Sequence, residues 1–169
     1  LKGTSLQPKE VHVALEDSAA KRVLSNVMKV NPTTAWRKVK FAFTALEDVR
    51  DAVLTFTSNE SQIFWIDVVS LFPEKTWKGM PNGLRPDLAD LIAGLKPRFI
   101  RFPGGDFVEG FTGGTFPVWH ETIGDIAKRK HLWTANGYGT TNGMGYTEHL
   151  RLCTSIGAEP IYVINNGVT

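Results

Sequence analysis

The sequence lacks the features that mark several large classes of protein. It has one cysteine, Cys153, in 169 residues, so no disulfide can form within the chain. The cysteine and the four histidines show no spacing typical of a zinc site, so we expect neither a metal nor another cofactor. The longest apolar runs, such as 161–164, are far shorter than the ~20 residues that a membrane-spanning helix needs. The sequence therefore predicts no membrane partner.

Charge of one sign is also scarce. The chain has 19 Lys and Arg residues against 17 Asp and Glu residues, which gives a formal net charge of +2. Without a basic stripe, we expect no nucleic-acid partner. The glycine pairs at 104–105 and 113–114 lack the neighbouring Gly and Lys spacings of phosphate-binding loops, which argues against a nucleotide-binding protein. A hydrophobic content of 42% is typical of a globular protein.

The first seventy residues have the pattern of β-structure. Within 36–44, apolar Val39, Phe41 and Phe43 alternate with basic residues, as expected for a strand with one buried face. Short runs of this type separated by turn residues predict a β-sandwich. The predicted strands are 11–15, 22–30, 36–44, 52–57 and 62–69.

After residues 70–73 the pattern changes to alternating helices and strands. Pro86 begins a helix predicted to reach Leu95, and a strand at 98–102 follows. A second helix is predicted over 145–156 and a second strand over 160–164. Strands joined through helices pair in parallel, because only a long crossover returns the chain in the same direction. We therefore divide the chain into a β-domain, 1–69, and an α/β domain, 70–169.

Candidate ligand-binding residues follow from this parallel arrangement. Ligands bind at the carboxyl ends of parallel strands, which predicts Arg101, Asp106, Asn165 and Asn166 at one rim. A tight turn with an aspartate cap is the competing interpretation of Asp106. The long, glycine-rich and aromatic connection over 104–143 is predicted to be a functional loop.

Aromatic residues in this connection suit sugar recognition, because the apolar face of a sugar ring stacks on a flat side chain. Trp133 and Tyr138 are candidates, while core packing is the alternative for Trp133 and is favoured for Trp119. Cys153 lies in a run with helical spacing and is predicted to pack as a small hydrophobic residue. Asn59 begins an Asn-Glu-Ser sequon between two predicted strands, a candidate glycosylation site.

Several ordered motifs resemble the α-L-arabinofuranosidases of glycoside hydrolase family fifty-one. The resemblance covers residues 65–169 most strongly, whereas residues before 65 resemble, more weakly, the jelly-roll carbohydrate-binding module of fungal and plant members. The motifs are Val-Ser-Leu-Phe-Pro at 69–73, Asn-Gly-Leu-Arg-Pro-Asp-Leu at 82–88, Phe-Ile-Arg-Phe-Pro-Gly-Gly at 99–105, Trp-His-Glu-Thr-Ile-Gly at 119–124, Asn-Gly-Met-Gly-Tyr at 142–146 and Gly-Ala-Glu-Pro-Ile-Tyr-Val-Ile-Asn-Asn-Gly at 157–167.

This resemblance implies a fold and an activity. The fold would be the end of a jelly-roll sandwich followed by the early strand-helix units of a (β/α)8 barrel. The activity would be that of a retaining glycosidase that removes terminal α-L-arabinofuranosyl residues from arabinoxylan or arabinan, using two glutamates. The family's acid/base motif, Gly-Asn-Glu, is missing from the chain. We therefore expect the catalytic glutamates outside these 169 residues, and expect the rest of the same enzyme as a partner.

The resemblance also implies roles for individual residues. Arg101 is expected to hydrogen-bond the nucleophilic glutamate and keep it ionised. Asp106 is expected to touch the bound arabinose, Trp133 or Tyr138 to line the sugar site, and Asn165 to support it. The expected substrate, a plant polysaccharide or oligosaccharide bearing arabinose, together with the sequon, predicts an extracellular enzyme. A non-catalytic carbohydrate-binding fragment is the alternative.

Overall fold

The computed structural model describes residues 1–3, 9–80, 83–112 and 114–167. Asn82 and Gly113, which belong to segments discussed above, lie outside the described residues. The chain forms two compact units, residues 1–70 and 71–169. No helix within the described ranges is long and apolar enough to cross a membrane.

The first unit is built from short antiparallel strands. The strands are β1 (Lys2–Gly3), β2 (Val11–Asp17), β3 (Met28–Val30), β4 (Ala52–Thr57) and β5 (Phe64–Trp65). β2 lies at the centre of a three-stranded sheet between β3 and β4, and β1 pairs separately with β5. The side chains of Val11, Val13 and Val30 are buried and form the core of this unit.

The predicted strand over 36–44 is wrong, although its buried face is right. Val39, Phe41 and Phe43 pack against the core, while the residues between them are exposed. The backbone of this segment is held by a side chain instead of a strand ladder. Asn26 donates from Nδ2 to the carbonyl of Ala42 and accepts from the Thr44 N–H. The alternation of apolar and polar residues predicts which side chains are buried, but it does not predict which groups hydrogen-bond to the backbone.

Two other predicted strands are much shorter in the structure. Only Met28–Val30 of the run 22–30 and Phe64–Trp65 of the run 62–69 form strands. Within 22–30, Val23 and Ser25 make isolated bridges to Glu16 and Ala45. The described part of this unit thus contains a three-stranded sheet and a two-stranded pair. The jelly-roll assignment stays a prediction.

The second unit alternates helices and strands, as predicted. Its helices are α1 (Pro86–Gly94), α2 (Gly105–Glu109) and α3 (Tyr146–Ile156), and its strands are β6 (Phe99–Phe102), β7 (Leu132–Trp133), β8 (Gly139–Thr140) and β9 (Glu159–Tyr162). Single 3-10 turns cover 77–79, 119–122 and 126–128. The connection over 104–143 therefore contains α2, two 3-10 turns and a β-hairpin, so the prediction of one long loop is wrong.

Local sequence signals explain where the helices of this unit begin and end. Pro86 is the first residue of α1, where its missing N–H costs no hydrogen bond. α3 ends at Gly157, whose φ of 74° is left-handed and favours glycine. Trp77, Ala89 and Leu152 are buried together, and Trp77 donates from Nε1 to Asp90 at 2.8 Å. This core joins α1, the first 3-10 turn and α3.

β6 and β9 pair in parallel, as predicted, with Phe99 opposite Glu159 and Phe102 opposite Tyr162. The carboxyl ends of both strands therefore lie at the same edge of the sheet, and the polar segments that follow them lie close to each other. The barrel assignment stays a prediction, because two parallel strands do not define a barrel.

Candidate functional site

A cleft lies where β6 ends and α2 begins. It has a volume of about 570 Å³ and is formed by two stretches of chain. The first, residues 102–107, is named here the turn wall, and the second, residues 136–144, the loop wall. The lining residues are Phe102, Pro103, Gly104, Gly105, Asp106, Phe107, Asn136, Tyr138, Thr140, Asn142 and Met144.

The turn wall follows from a strand that ends at a Pro-Gly-Gly sequence. Proline and glycine stop the strand pairing, and the chain turns into the five-residue helix α2. Asp106 lies in the first turn of α2 and lines the cleft with an exposed side chain. Sequence reasoning predicted Asp106 at this rim, and the structure places it there together with the predicted Tyr138.

Asn165 lies outside the cleft lining and holds the turn wall from behind. Its Nδ2 donates to the carbonyls of Val108 and Glu109 at 3.1 and 3.3 Å, and its Oδ1 accepts from the Gly167 N–H at 2.7 Å. These carbonyls belong to the last turn of α2, where helical partners are missing. Asn165 therefore ties the segment after β9 to the helix that carries Asp106.

Arg101 lies on β6, one residue before the cleft lining begins, and its side chain is exposed. A Cβ added at Gly105 would lie 3.7 Å from Nη2 of Arg101, so the guanidinium lies beside the turn wall. The guanidinium of Arg101 makes no hydrogen bond or ion pair to any residue that the structure describes. The guanidinium can therefore pair with an acidic group that lies outside the described residues.

Trp133 and Tyr138 belong to one β-hairpin but lie in different places. Tyr138 lines the cleft, whereas Trp133 lines a shallower groove together with His131, Leu132 and residues 139–141. Trp133 is 66% exposed and Tyr138 is 50% exposed. The structure therefore excludes burial of Trp133 in the core of its unit, the alternative that the sequence left open. It does not bring the two aromatic side chains into one pocket.

An ion pair between a buried arginine and a partly buried glutamate lies next to the loop wall. Arg129 follows the third 3-10 turn, and its side chain is 2% exposed. It donates to both carboxylate oxygens of Glu148 on α3, at 2.8 and 2.9 Å. Burial, the largest single cause, raises the pKa of Glu148, but the hydrogen bond from Arg129, the backbone hydrogen bonds and the charge of Arg129 together outweigh it, so the pKa of this carboxyl lies below its ordinary value of 4.5. Glu148 also accepts from the Gly145 N–H at 3.0 Å.

The floor of the cleft is supported by a buried histidine. His149 on α3 is fully buried and stacks on Phe102 with a ring-centroid distance of 5.5 Å. Tyr162 lies beside it, and the Cys153 sulfur is 3.7 Å from Nε2. Burial lowers the pKa of His149 below 6.5, so the imidazole is neutral at neutral pH. Cys153 is buried and packs as a small hydrophobic residue, as predicted.

Sequence reasoning missed the residues that shape and hold the loop wall. Arg129 lies in a Lys-Arg-Lys run, which usually marks a solvated surface. Its burial could not be predicted without knowing that three chain segments converge on it. A signal for Glu148 was present, since an acidic residue three positions after a helix start often reaches back to the first free N–H. Asn142 was noted only as part of a motif.

Other predicted features can also be located. Asn59 lies in an exposed bend directly after β4, and Ser61 of the sequon is exposed as well. Among residues 1–3, 9–80, 83–112 and 114–167, no three His, Cys, Asp or Glu side chains are grouped so that they could hold a metal ion.

The chain matches a known family model and several curated proteins. The model of the alpha-L-arabinofuranosidase 1 domain matches residues 91–169. Alpha-L-arabinofuranosidase 1 of Arabidopsis thaliana is 36% identical over 164 residues, which are 95% of this chain and 24% of the relative. An extracellular exo-alpha-L-arabinofuranosidase of Streptomyces chartreusis is 34% identical over 93% of this chain and 20% of its own length.

A solved structure shares the fold. The arabinose-bound α-L-arabinofuranosidase MgGH51 superimposes with a TM-score of 0.80 at 30% identity, over 95% of this chain and 27% of that protein. The chain thus spans about a quarter of the length of the proteins that it matches. This chain corresponds, in sequence and in fold, to a segment of the α-L-arabinofuranosidases of glycoside hydrolase family fifty-one.

Proposed function

We propose that this chain forms part of a retaining glycosidase that hydrolyses terminal non-reducing α-L-arabinofuranosyl residues of arabinoxylan- or arabinan-type hemicellulose. The observation that carries the proposal is the cleft at the end of β6. It combines a carboxylate, amides, hydroxyls and an aromatic ring within about 570 Å³, in a chain of which 95% aligns with the arabinose-bound α-L-arabinofuranosidase MgGH51. These are the groups that fix a small sugar, since its hydroxyls need polar partners and its ring face needs an apolar one.

We assign the residues of the cleft to separate tasks. The Asp106 carboxylate accepts hydrogen bonds from arabinose hydroxyls, and Tyr138 covers one side of the sugar. Asn165 keeps Asp106 in place through α2. Trp133, in the neighbouring groove, contacts the part of the polysaccharide that carries the arabinose.

We assign Arg101 to the support of a catalytic carboxylate that lies outside these 169 residues. Retaining hydrolysis needs two carboxyl groups ~5 to 5.5 Å apart, one as nucleophile and one as acid/base. We propose that both come from a later part of the enzyme, within a (β/α)8 barrel that β6 and β9 begin. The guanidinium of Arg101, which has no partner among the described residues, then donates to the nucleophilic carboxylate and keeps that carboxylate ionised and correctly oriented.

The experiment compares wild type with Arg101→Ala in the natural full-length polypeptide that contains this chain, using an aryl α-L-arabinofuranoside and arabinoxylan as substrates. We expect arabinose release by the wild type, and about a 100-fold lower kcat in the variant with KM changed much less. No release by the wild type would remove the proposed activity, and an unchanged kcat would remove Arg101 from the catalytic network.

A second proposal, sugar binding without catalysis, rests on the lack of a Gly-Asn-Glu motif in these 169 residues. Denaturing mass spectrometry of the purified protein separates the two proposals. A polypeptide that carries this motif, whether continuous with the chain or copurifying with it, supports the enzyme. A protein without it that still binds arabinose supports the binding module.

We further propose that the enzyme is extracellular and glycosylated at Asn59, and that the first unit is the end of a jelly-roll carbohydrate-binding module. The exposed bend at Asn59 has room for a glycan, and the Streptomyces relative is named extracellular. A mass shift of the peptide that contains Asn59 after enzymatic deglycosylation tests the modification.

A further inference from the structure

The loop wall has little regular structure of its own. Its hairpin pairs only two residues in each strand, with Leu132 opposite Thr140 and Trp133 opposite Gly139. Isolated two-stranded hairpins are marginally stable in water. Contacts outside the hairpin must therefore hold Tyr138, Thr140 and Asn142 at the cleft.

Arg129 supplies these contacts from a buried position at the start of the segment. Its Nη1 donates to the carbonyls of Asn142 and Gly143, at 2.8 and 3.2 Å. Its Nε and Nη2 both donate to the carbonyl of Gly124, at 3.3 and 2.8 Å. With the two bonds to Glu148, one guanidinium joins α3 to the chain before and after the hairpin.

Asn142 closes the same segment from the other end. It is buried, its Nδ2 donates to the carbonyl of Lys130 at 2.9 Å, and its φ of 53° lies in the left-handed region that asparagine tolerates better than most residues. The hairpin between Lys130 and Asn142 is thus tied at its base, and the base is fixed by Arg129. Asn142 also lines the cleft, so the residue that closes the base of the hairpin is itself part of the surface that faces a ligand.

We propose that Arg129 is a positioning residue of the sugar cleft, which orients the loop wall for arabinose through its bonds to the carbonyls of Gly124, Asn142 and Gly143. This inference rests on the proposed function, because it takes arabinose as the ligand. Lysine at this position keeps the charge but cannot reproduce the planar fork of donors. Glu148 holds the guanidinium in place and does not contact the cleft.

A merely structural role makes a different prediction. Replacing a buried ion pair by apolar residues of similar size is often neutral for stability, whereas removing one partner leaves a buried charge unpaired. We therefore expect the double variant Arg129→Met with Glu148→Leu to stay folded, although it removes every bond from residue 129 to the three carbonyls. Leu152→Ala is the matched control, because it weakens the core of the same unit, against which Met144 of the loop wall packs, and removes none of the bonds that Arg129 makes.

The experiment measures the Kd for L-arabinose and backbone hydrogen exchange over 130–143 in the full-length polypeptide, for wild type, Arg129→Lys, the double variant and Leu152→Ala. We expect the Kd to rise at least tenfold in both Arg129 variants and exchange over 130–143 to become faster. We expect the Tm of Leu152→Ala to be equal to or lower than that of the Arg129 variants, and its Kd to stay within about twofold of the wild-type value.

The outcomes separate this inference from the function on which it rests. A wild type that fails to bind arabinose rejects the proposed function, and exchange over 130–143 then decides whether Arg129 holds the wall. Equal exchange in Arg129→Lys and Leu152→Ala overturns the inference. The inference is also overturned if the double variant binds arabinose with the wild-type Kd. It is overturned as well if the rise in Kd is proportional to the fall in Tm in every variant, Leu152→Ala included.

Discussion

The two walls of the cleft are held by different interactions. The turn wall continues directly from a paired strand into α2, and the neutral amide of Asn165, which follows β9, holds the last carbonyls of α2. The loop wall contains the tip and second strand of a short hairpin and depends on a buried charge, Arg129, which bonds to Glu148 and to three carbonyls. Removing an amide costs a few hydrogen bonds, whereas removing one member of a buried ion pair leaves the other unpaired. The two walls should therefore respond very differently to substitution and to pH.

Gly145→Ala should have the largest effect, and should act on the loop wall. A Cβ at this position would lie 2.2 Å from the carbonyl oxygen of Thr122 and 2.9 Å from Nη1 of Arg129, so the backbone has to move. We expect a loss of about 3 kcal/mol in the free energy of unfolding, measured by urea denaturation.

Gly94→Ala is the matched control in the same unit. Gly94 is the last residue of α1, and no atom lies within 4 Å of an added Cβ. The alanine variant should gain roughly 0.5 to 1 kcal/mol. Equal losses at both glycines would contradict the close packing around Gly145.

Acidification should weaken the loop wall before the turn wall. The folded pKa of Glu148 lies below its ordinary value, so the unfolded chain takes up a proton first as the pH falls. The contribution of the pair to stability is complete above about pH 4.5 and is lost as the pH falls through the folded pKa. We therefore expect the free energy of unfolding to fall measurably between pH 7 and pH 3.

Thermal melts from pH 7 to pH 3 measure this loss. In Glu148→Gln the stability at pH 7 should fall and the acid-dependent part should shrink, because the group no longer titrates. Hydrogen exchange over 130–143 should accelerate in acid relative to exchange over 105–109. An equal acceleration in both segments would show that the two walls do not differ in this way.

Asn165→Ala should have the smallest effect, and should act on the turn wall. It removes two bonds to the last carbonyls of α2, which we expect to cost about 1 kcal/mol and to weaken arabinose binding several-fold through Asp106. Asn165→Asp keeps the shape and the acceptor for Gly167 but has no N–H to donate. Calorimetric titration with arabinose should show similar losses in both variants, and a wild-type affinity in Asn165→Asp would refute the role of the donated bonds.

The same contrast explains how much of the molecule could be predicted from sequence. The parallel pair, both long helices and the rim with Asp106 followed from local signals: apolar periodicity, Pro86 at a helix start and glycine after a strand. The strand at 36–44 could not be predicted correctly, because its backbone partner is the side chain of Asn26, eighteen residues from Thr44. Arg129 was missed for the same reason, since its partners lie as far as Glu148.

The hydrogen bond between the Asn142 side chain and the Lys130 carbonyl closes the base of the hairpin, so the tip should tolerate changes of length and sequence. Its tip is a tight turn in which the Gly137 N–H donates to the carbonyl of Thr134, and the residues at 136–138 are exposed. Because the base is closed independently of the tip, inserted residues at Gly137 leave the closing bonds intact, and doubling a flexible loop costs only about 0.6 kcal/mol. We therefore expect that this tip can be exchanged on its own, with the cleft floor and Arg129 left unchanged.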